Sequence, residues 1–238
     1  SGFNISDLVT DEKSYQQVDL LTESFVSDPG APALAYVAKV LAVPNHATLS
    51  YEIISQGETF TFENIHLPPA RKSWQEGDPE TPYSINDRIY SDEKNYPGYY
   101  AEIDKPSVFR DFRIARVSLF PMQYDPVKQQ LQVTRTMTVK ISYQQGKAVN
   151  PKTTSPKAIP PSFGKLYKSF IINYQSVLDK LYGGKEDGAE LMLCIMPDEF
   201  YDSFQTYAQW KKETGIDIHI TKFSDIGATA TSPVTVKN

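Results

Sequence analysis

The chain reads as a mixed protein, an all-β antiparallel first part of sandwich or barrel-like character followed by the first βαβ unit of an α/β domain. Three observations predict this. From Leu131 to Tyr143 the odd positions are apolar (Leu131, Val133, Met137, Val139, Ile141, Tyr143) and the even ones polar, with Arg135 alone breaking the rule. A period of two means a strand with one face in a core and one in water. Near the other end, Leu191–Met196 is continuously apolar, as a strand buried on both faces must be. A helical stretch separates it from a second apolar run, Ile216 to Phe223, which gives a parallel pair with a right-handed crossover.

Taken in order, residues 1 to 28 are largely polar and weakly patterned, with one apolar cluster at Val18, Leu20 and Leu21, and read as a loose arm or short edge strand. Strand patterns follow at Tyr36–Val43, Thr48–Ile54 and Thr59–Ile65, with turns at Asn45-His46 and Gln56-Gly57. Short strands at such spacing argue for a sandwich or barrel. Leu67 to Gly98 holds five of the 17 prolines and no periodicity, which marks a long structureless segment of the kind that is functional or mobile. Ile114 to Phe120 forms a second strand that pairs with Leu131–Tyr143 as a hairpin, Asp125-Pro126 supplying the turn. Lys147 to Pro161, rich in Pro, Lys and Thr, reads as a linker.

Phe163, Leu166, Tyr167, Phe170, Ile171, Tyr174, Val177, Leu178 and Leu181 then recur at helical spacing, predicting one amphipathic helix capped by Ser162 and ended by Gly183-Gly184. The helix after Leu191–Met196 begins at Pro197-Asp198-Glu199 and runs to Glu213, with Phe200, Phe204, Tyr207 and Ala208 inward and Gly215 as its stop. Ser232-Pro233 looks like the start of a further helix, so the second domain reads as incomplete at Asn238. The expected organisation is a β-rich domain over 1–161, a connecting helix over 162–182 and the opening of an α/β domain over 185–238.

With 238 residues, 40% hydrophobic and 12% aromatic, the chain can build packed cores. A net charge of −5 gives no electrostatic case for nucleic acid or an anionic membrane, and no apolar run approaches a membrane span. Ser1-Gly2 does not open a signal peptide.

A set of ordered motifs resembles the prodomain of gingipain-type cysteine peptidases, the clan CD family C25. The densest comprises Arg110, Asp111, Arg113, Val117, Pro121, the run Gln123 to Val127, Leu131 and Val133. Gly30 to Leu34 with Leu41 to Pro44, Pro82-Tyr83 and Tyr96 to Gly98 match earlier motifs, and Tyr167 to Phe170 with Asn173-Tyr174 match the prodomain's end. Trp210 to Ile218 and Ala228 to Asn238 resemble the opening of the peptidase domain, so the similarity spans about 25 to 235.

The resemblance implies the N-terminal part of a cysteine endopeptidase zymogen, whose prodomain keeps the peptidase latent and assists its folding, joined to a caspase-like α/β domain. Its partners would be the remainder of that domain and, for the parent, protein or peptide substrates. It further implies a secreted or cell-surface protein with its signal removed, exported by the type IX system of a Bacteroidetes-like bacterium. No cofactor is implied for this stretch, with calcium placed only in the remainder of the catalytic domain. Two other readings stand beside it. One is a β-sandwich binding or adhesion module with its α/β part a spacer or degenerate enzyme; the other is a sortase-like member of the same family.

No catalytic residue is assigned in this chain, because the family's His and Cys lie downstream of the matched region. Cys194, mid-strand between Leu193 and Ile195, reads as a packed thiol, inert when buried. His46 reads as a turn residue, His66 as a strand end and His219 as one of an alternating strand, and no pair has metal-ligand spacing. Asp198, Glu199 and Asp202 suit the positive end of a helix rather than a cation. The candidate inhibitory loop is Ala70 to Pro82, expected to occlude the active-site cleft. Alignment on Pro79 and Pro82-Tyr83 puts Gln75 where the resemblance implies a basic plug, with Arg71 and Lys72 a few positions earlier. The processing site implied by the resemblance is Lys180–Leu181, with Lys185 just beyond, although Leu181 belongs to the helical stripe.

Overall fold

A computed structural model describes residues 2–10, 13–20, 28–73, 75–154, 158–188 and 190–229. Leu21, Trp74 and the helix start expected at Ser232-Pro233 lie outside them. The chain divides into two compact units. The first is Ser1–Thr154 with Phe170–Asn173, and the second is Ser155–Ser169 with Tyr174–Asn238.

In the first unit the elements are β1 (Phe3–Val9), β2 (Ser14–Leu20), β3 (Val37–Ala42), β4 (Ala47–Gln56), β5 (Thr59–Phe62), the one-turn α1 (Asp87–Tyr90), β6 (Ala101–Ile103), β7 (Ser107–Phe109), β8 (Phe112–Leu119), β9 (Met122–Asp125), β10 (Gln130–Thr134) and β11 (Met137–Gln145). All their pairings are antiparallel. Among the described residues the strands form four small sheets: β1-β2, β5-β10-β9, β4-β11, and β3-β8-β6 with β7 also on β8. The N-terminal arm is thus a full hairpin, and its Val18 is completely buried. Val18 joins Leu34, Ile65, Leu67, Phe120, Met122, Tyr124, Leu131 and Val133 in one core.

The expected hairpin is corrected in its partners. Asp125 does make the turn: Oδ1 accepts from the backbone of Val127 (3.1 Å) and Lys128 (2.9 Å), and Oδ2 takes the Lys128 ammonium at 2.8 Å. The arms joined are β9 and β10, whereas β8 lies between β3 and β6. The long strand Leu131–Tyr143 is two strands broken at Arg135-Thr136, the place where the alternation failed. There the chain leaves the sheet of β5 and β9 and joins β4.

In the second unit α2 (Pro161–Phe170), its last residue aside, and α3 (Tyr174–Tyr182) replace the single helix expected. The break is a strand-edge interaction in the first unit. Ile171 bridges Val40, the Ile172 N–H donates to Val40 at 3.0 Å, and the Asn173 amide both donates to and accepts from the backbone of Ala42 at 2.8 Å. Residues 171–173 thereby cover the edge of β3, and the helical ladder cannot run through them. The start of α2 is met by Glu190 rather than Ser162, since the Ser162 N–H donates to the Glu190 carboxylate at 3.0 Å.

Next come β12 (Leu191–Met196), a 3₁₀ turn at Asp198–Phe200, α4 (Tyr201–Glu213) and β13 (Asp217–Lys222), which pairs with β12 in parallel. Gly215, at φ 88°, ends the α4 turn as expected. The burial expected of β12 is not met: Leu191 and Leu193 are 70% and 58% exposed, and of its six residues Met196 alone is fully buried. One crossover helix covers one face of a two-stranded sheet, so alternate side chains of β12 face outward. On α4, Ala208 is buried while Tyr207 faces solvent, as does Phe200 in the 3₁₀ turn before the helix. Tyr207 and Trp210 carry the Lys211 ammonium instead.

The linker is ordered where described. Lys152 is buried, its ammonium donating to Thr154 O at 2.9 Å and Thr154 Oγ1 at 2.8 Å.

Burial alone would push the Asp125 carboxyl up, but the bonds from Lys128 and Val127 outweigh it and hold the carboxyl below its ordinary value. Its contribution to stability is therefore present above the ordinary aspartate range and is lost as pH falls through the lowered value. Asp125→Ala should cost about 2 kcal/mol near neutrality. Thermal unfolding followed by circular dichroism should show that deficit shrinking steadily on acidification, whereas a pH-independent deficit would assign it to packing.

Candidate functional site: a braced loop and a junction helix

The loop over 71–82 rises from a pinned base. Gly30 N–H donates to Ala70 O at 2.8 Å, Ala70 N–H to Ala31 O at 2.7 Å, and Asn86 N–H to Gly30 O at 2.9 Å. Gly30 has φ 85°, and a Cβ there would stand 3.1 Å from both Asn86 N and Ser84 O. Only glycine meets both demands without strain. Behind the base, Tyr90 donates to Leu67 O at 3.0 Å, and burial pushes its phenol far up.

Above the base the two arms are tied across. Arg71 Nη1 donates to Glu80 Oε2 at 2.7 Å and its guanidinium lies 4.9 Å from the Tyr83 ring centre. Thr81 Oγ1 donates to Lys72 O at 2.6 Å. The tip turns at Gln75 to Asp78, closed by Asp78 N–H to Gln75 O at 3.1 Å, with Gly77 at φ 95°. Lys72 and Gln75 are exposed, while Arg71 is half-buried in the brace. The structure thus brings all three expected residues onto one projecting loop and gives Arg71 a bracing contact there. Sequence reasoning missed Glu80, Thr81 and Tyr83. The available signal was an opposite charge and a hydroxyl on the returning arm.

At the other candidate, Lys180 and Leu181 are both exposed but lie inside the last turn of α3. Gly183 and Gly184, at φ 61° and 75°, end that helix, and Lys185 follows in non-helical backbone. A peptidase binds its substrate extended, so cutting at Lys180 requires that turn to unwind.

The histidines and the cysteine do not assemble into a dyad among the described residues. In the β12-β13 register Leu193 pairs with His219 and Cys194 with Ile220, so the pleat sends His219 and Cys194 to opposite faces. His46 lies in the turn before β4, and His66 accepts from Gln16 N–H through its carbonyl while its own N–H donates to the Gln16 side-chain Oε1. The Asp198 carboxylate accepts from Ser224 N–H at 3.0 Å, and hydrogen bonding by the Ser224 side chain, with that backbone bond second, holds the carboxyl below its ordinary value. No three His, Cys, Asp or Glu side chains among the described residues come together to hold a metal. None of the described helices is long and apolar enough to cross a membrane.

Comparison with known proteins gives a consistent result. The Propeptide_C25 family matches residues 2–180. Gingipain R2 of Porphyromonas gingivalis (strain ATCC BAA-308 / W83) is 26% identical over 230 residues, which is 95% of this chain and 30% of the relative. Lys-gingipain HG66 of Porphyromonas gingivalis is 27% identical over 212 residues, 85% of this chain and 12% of the relative. The chain therefore spans less than a third of the length of these relatives. Among solved structures, the complex of Porphyromonas gingivalis RgpB pro- and mature domains is similar with a TM-score of 0.63 at 22% identity, covering 72% of this chain and 87% of that one. A structure described as giving insight into zymogenic latency of gingipain K from Porphyromonas gingivalis has a TM-score of 0.53 at 22% identity, covering 60% and 81%. These likenesses support the fold of the β-rich part.

If the cross-arm ties hold the loop, Glu80→Ala should leave global stability within about 1 kcal/mol. It should nonetheless speed limited proteolysis within residues 71–81, read by mass spectrometry of the fragments. Equal cleavage rates would mean that the brace is not what orders the loop.

Proposed function

Because the chain belongs to the Propeptide_C25 family, we propose that its β-rich first part is the latency device of a gingipain-type cysteine endopeptidase, and that residues following the junction helix open the peptidase domain. The prodomain lays the 71–82 loop through the active-site cleft and aids the folding of the domain it covers. The observation that carries this is the build of the loop: a base pinned at Gly30, Ala70 and Asn86, arms tied by Arg71–Glu80 and Thr81–Lys72, and an exposed tip. A preformed projection binds without first losing the entropy of ordering itself. With Arg71 engaged in the brace, Lys72 and Gln75 are the side chains the loop offers to a cleft. Relatives named for both gingipain R and Lys-gingipain match this chain, so similarity does not select the residue accepted before the scissile bond.

The βαβ unit of β12, α4 and β13 is read as the start of a caspase-like domain whose catalytic His and Cys lie beyond this chain. The parent is read as an exported protein acting on peptides and proteins. The comparisons lend no support to a stand-alone adhesion module or a sortase-like member.

The test is inhibition of the mature peptidase domain of the same parent by the 238-residue chain. Replacing Arg71, Lys72 and Gln75 together by Ala should weaken inhibition by at least about tenfold, roughly 1.4 kcal/mol. Unchanged inhibition would remove the loop from the mechanism.

Processing is placed at Lys180–Leu181, a reading supported by the family match ending at residue 180. The N-terminal sequence of the mature enzyme should begin at Leu181; a start after Lys185 would move the cut to the non-helical backbone.

A further inference from the structure

The chain past α3 folds back onto α2. Gly188 N–H donates to Ile159 O at 3.0 Å, and the Glu190 carboxylate accepts the Ser162 N–H at 3.0 Å. Between these bonds and α3 lies Glu186, 18% exposed. Its Oε1 accepts from the Lys168 ammonium at 2.8 Å and the Tyr174 hydroxyl at 3.1 Å. Its carboxylate rests against Gly164 so closely that a Cβ there would overlap it. Bonds from Lys168 and Tyr174 outweigh the effect of burial and hold the carboxyl below its ordinary range, as expected for an engaged anion.

We propose that Glu186 is a latch across the processing junction: it binds residues after the cut to helices before it, so cleavage between Lys180 and Lys185 does not by itself separate the two chains. This rests on the reading that the chain is processed there. Gly164, Lys168 and Tyr174 precede the cut and Glu186 follows it, so an intrachain contact becomes an interface between the prodomain's last helices and the new N-terminal segment. Glu190 at the N-terminus of α2 and the Gly188–Ile159 bond extend that interface by two further anchors. The division of the chain agrees, since residues 155–169 belong with 174–238 rather than with the β-rich unit. Release of the prodomain then needs the latch opened as well as the bond broken.

The experiment inserts a recognition sequence for a site-specific protease between Gly183 and Gly184, in the exposed turn after α3, and cuts the 238-residue chain there. Dilution followed by size-exclusion chromatography reads whether the two pieces stay together. The unaltered pieces should co-migrate, and Glu186→Ala should weaken their association by about tenfold. Gly164→Ala should weaken it as well. Alanine is the better helix former, so that loss cannot come from a weaker α2. Lys168→Glu should separate the pieces, and Lys168→Glu with Glu186→Lys should restore co-migration. Separation of the unaltered pieces, or unchanged association in Glu186→Ala, would overturn the latch. The engineered cut makes this result independent of the natural one, so a different mature N-terminus would sink the processing reading while leaving the latch measurement intact.

Discussion

A guanidinium taken out of water costs several kcal/mol unless its donors are met. Arg113, 1% exposed, meets that demand with five hydrogen bonds, all to backbone carbonyls. Nη1 reaches Pro44 O at 2.7 Å and Ala47 O at 2.9 Å, Nη2 reaches Val149 O at 2.9 Å, and Nε divides its donor between Val149 and Asn150. Burial lowers its pKa, which is the cost of placing a cation there, and the carbonyl dipoles offset it. The planar fork suits this role in a way an ammonium would not. One side chain on β8 thereby fixes the turn from β3 to β4 and the path of the segment after β11. A segment read from composition as a linker becomes part of the first unit at Val149 and Asn150.

The same logic runs through the other polar residues that carry the family resemblance. Gln123, 2% exposed, accepts Gly98 N–H at 3.0 Å and donates to Tyr99 O at 2.9 Å. Tyr124 donates to Ile65 O at 2.7 Å while its backbone exchanges bonds with Tyr96. Asn173 pairs with the backbone of Ala42. Each is a buried or half-buried polar group bonded to main-chain atoms distant in sequence, of a loop for Gln123 and Tyr124 and of the β3 edge for Asn173. The motifs therefore report how irregular segments are held, and they identify the fold without marking a reacting group.

This explains which parts of the structure could be read in advance. Local signals served well: β3 and β4 fall where alternation put them, the Asp125 turn forms, and Gly183-Gly184 ends a helix. Long-range bonds were invisible to periodicity. The stripe from Phe163 to Leu181 has no gap in its pattern, yet an amide 131 residues away in sequence from its partner at Ala42 divides it into two helices. Arg135 was a readable exception whose meaning, a change of sheet, depended on partners the sequence does not name. The composition of β12 describes a strand covered on both faces, while the described residues cover one.

The candidate site shows the same division. Proline content and absence of periodicity marked residues 67–98 as unusual and the resemblance narrowed them to 70–82, but neither disclosed the brace. Arg71, taken from sequence as a possible plug, spends its charge on Glu80 and its planar face on Tyr83. A side chain held this way is a poor anchor for a second partner, because engaging it would first break the contacts that present the loop. Rigidity at the base and exposure at the tip are thus complementary demands. On the proposed reading, the residues that order the loop and those offered to a cleft are different ones, and the exposed Lys72 and Gln75 are the side chains not spent on the brace.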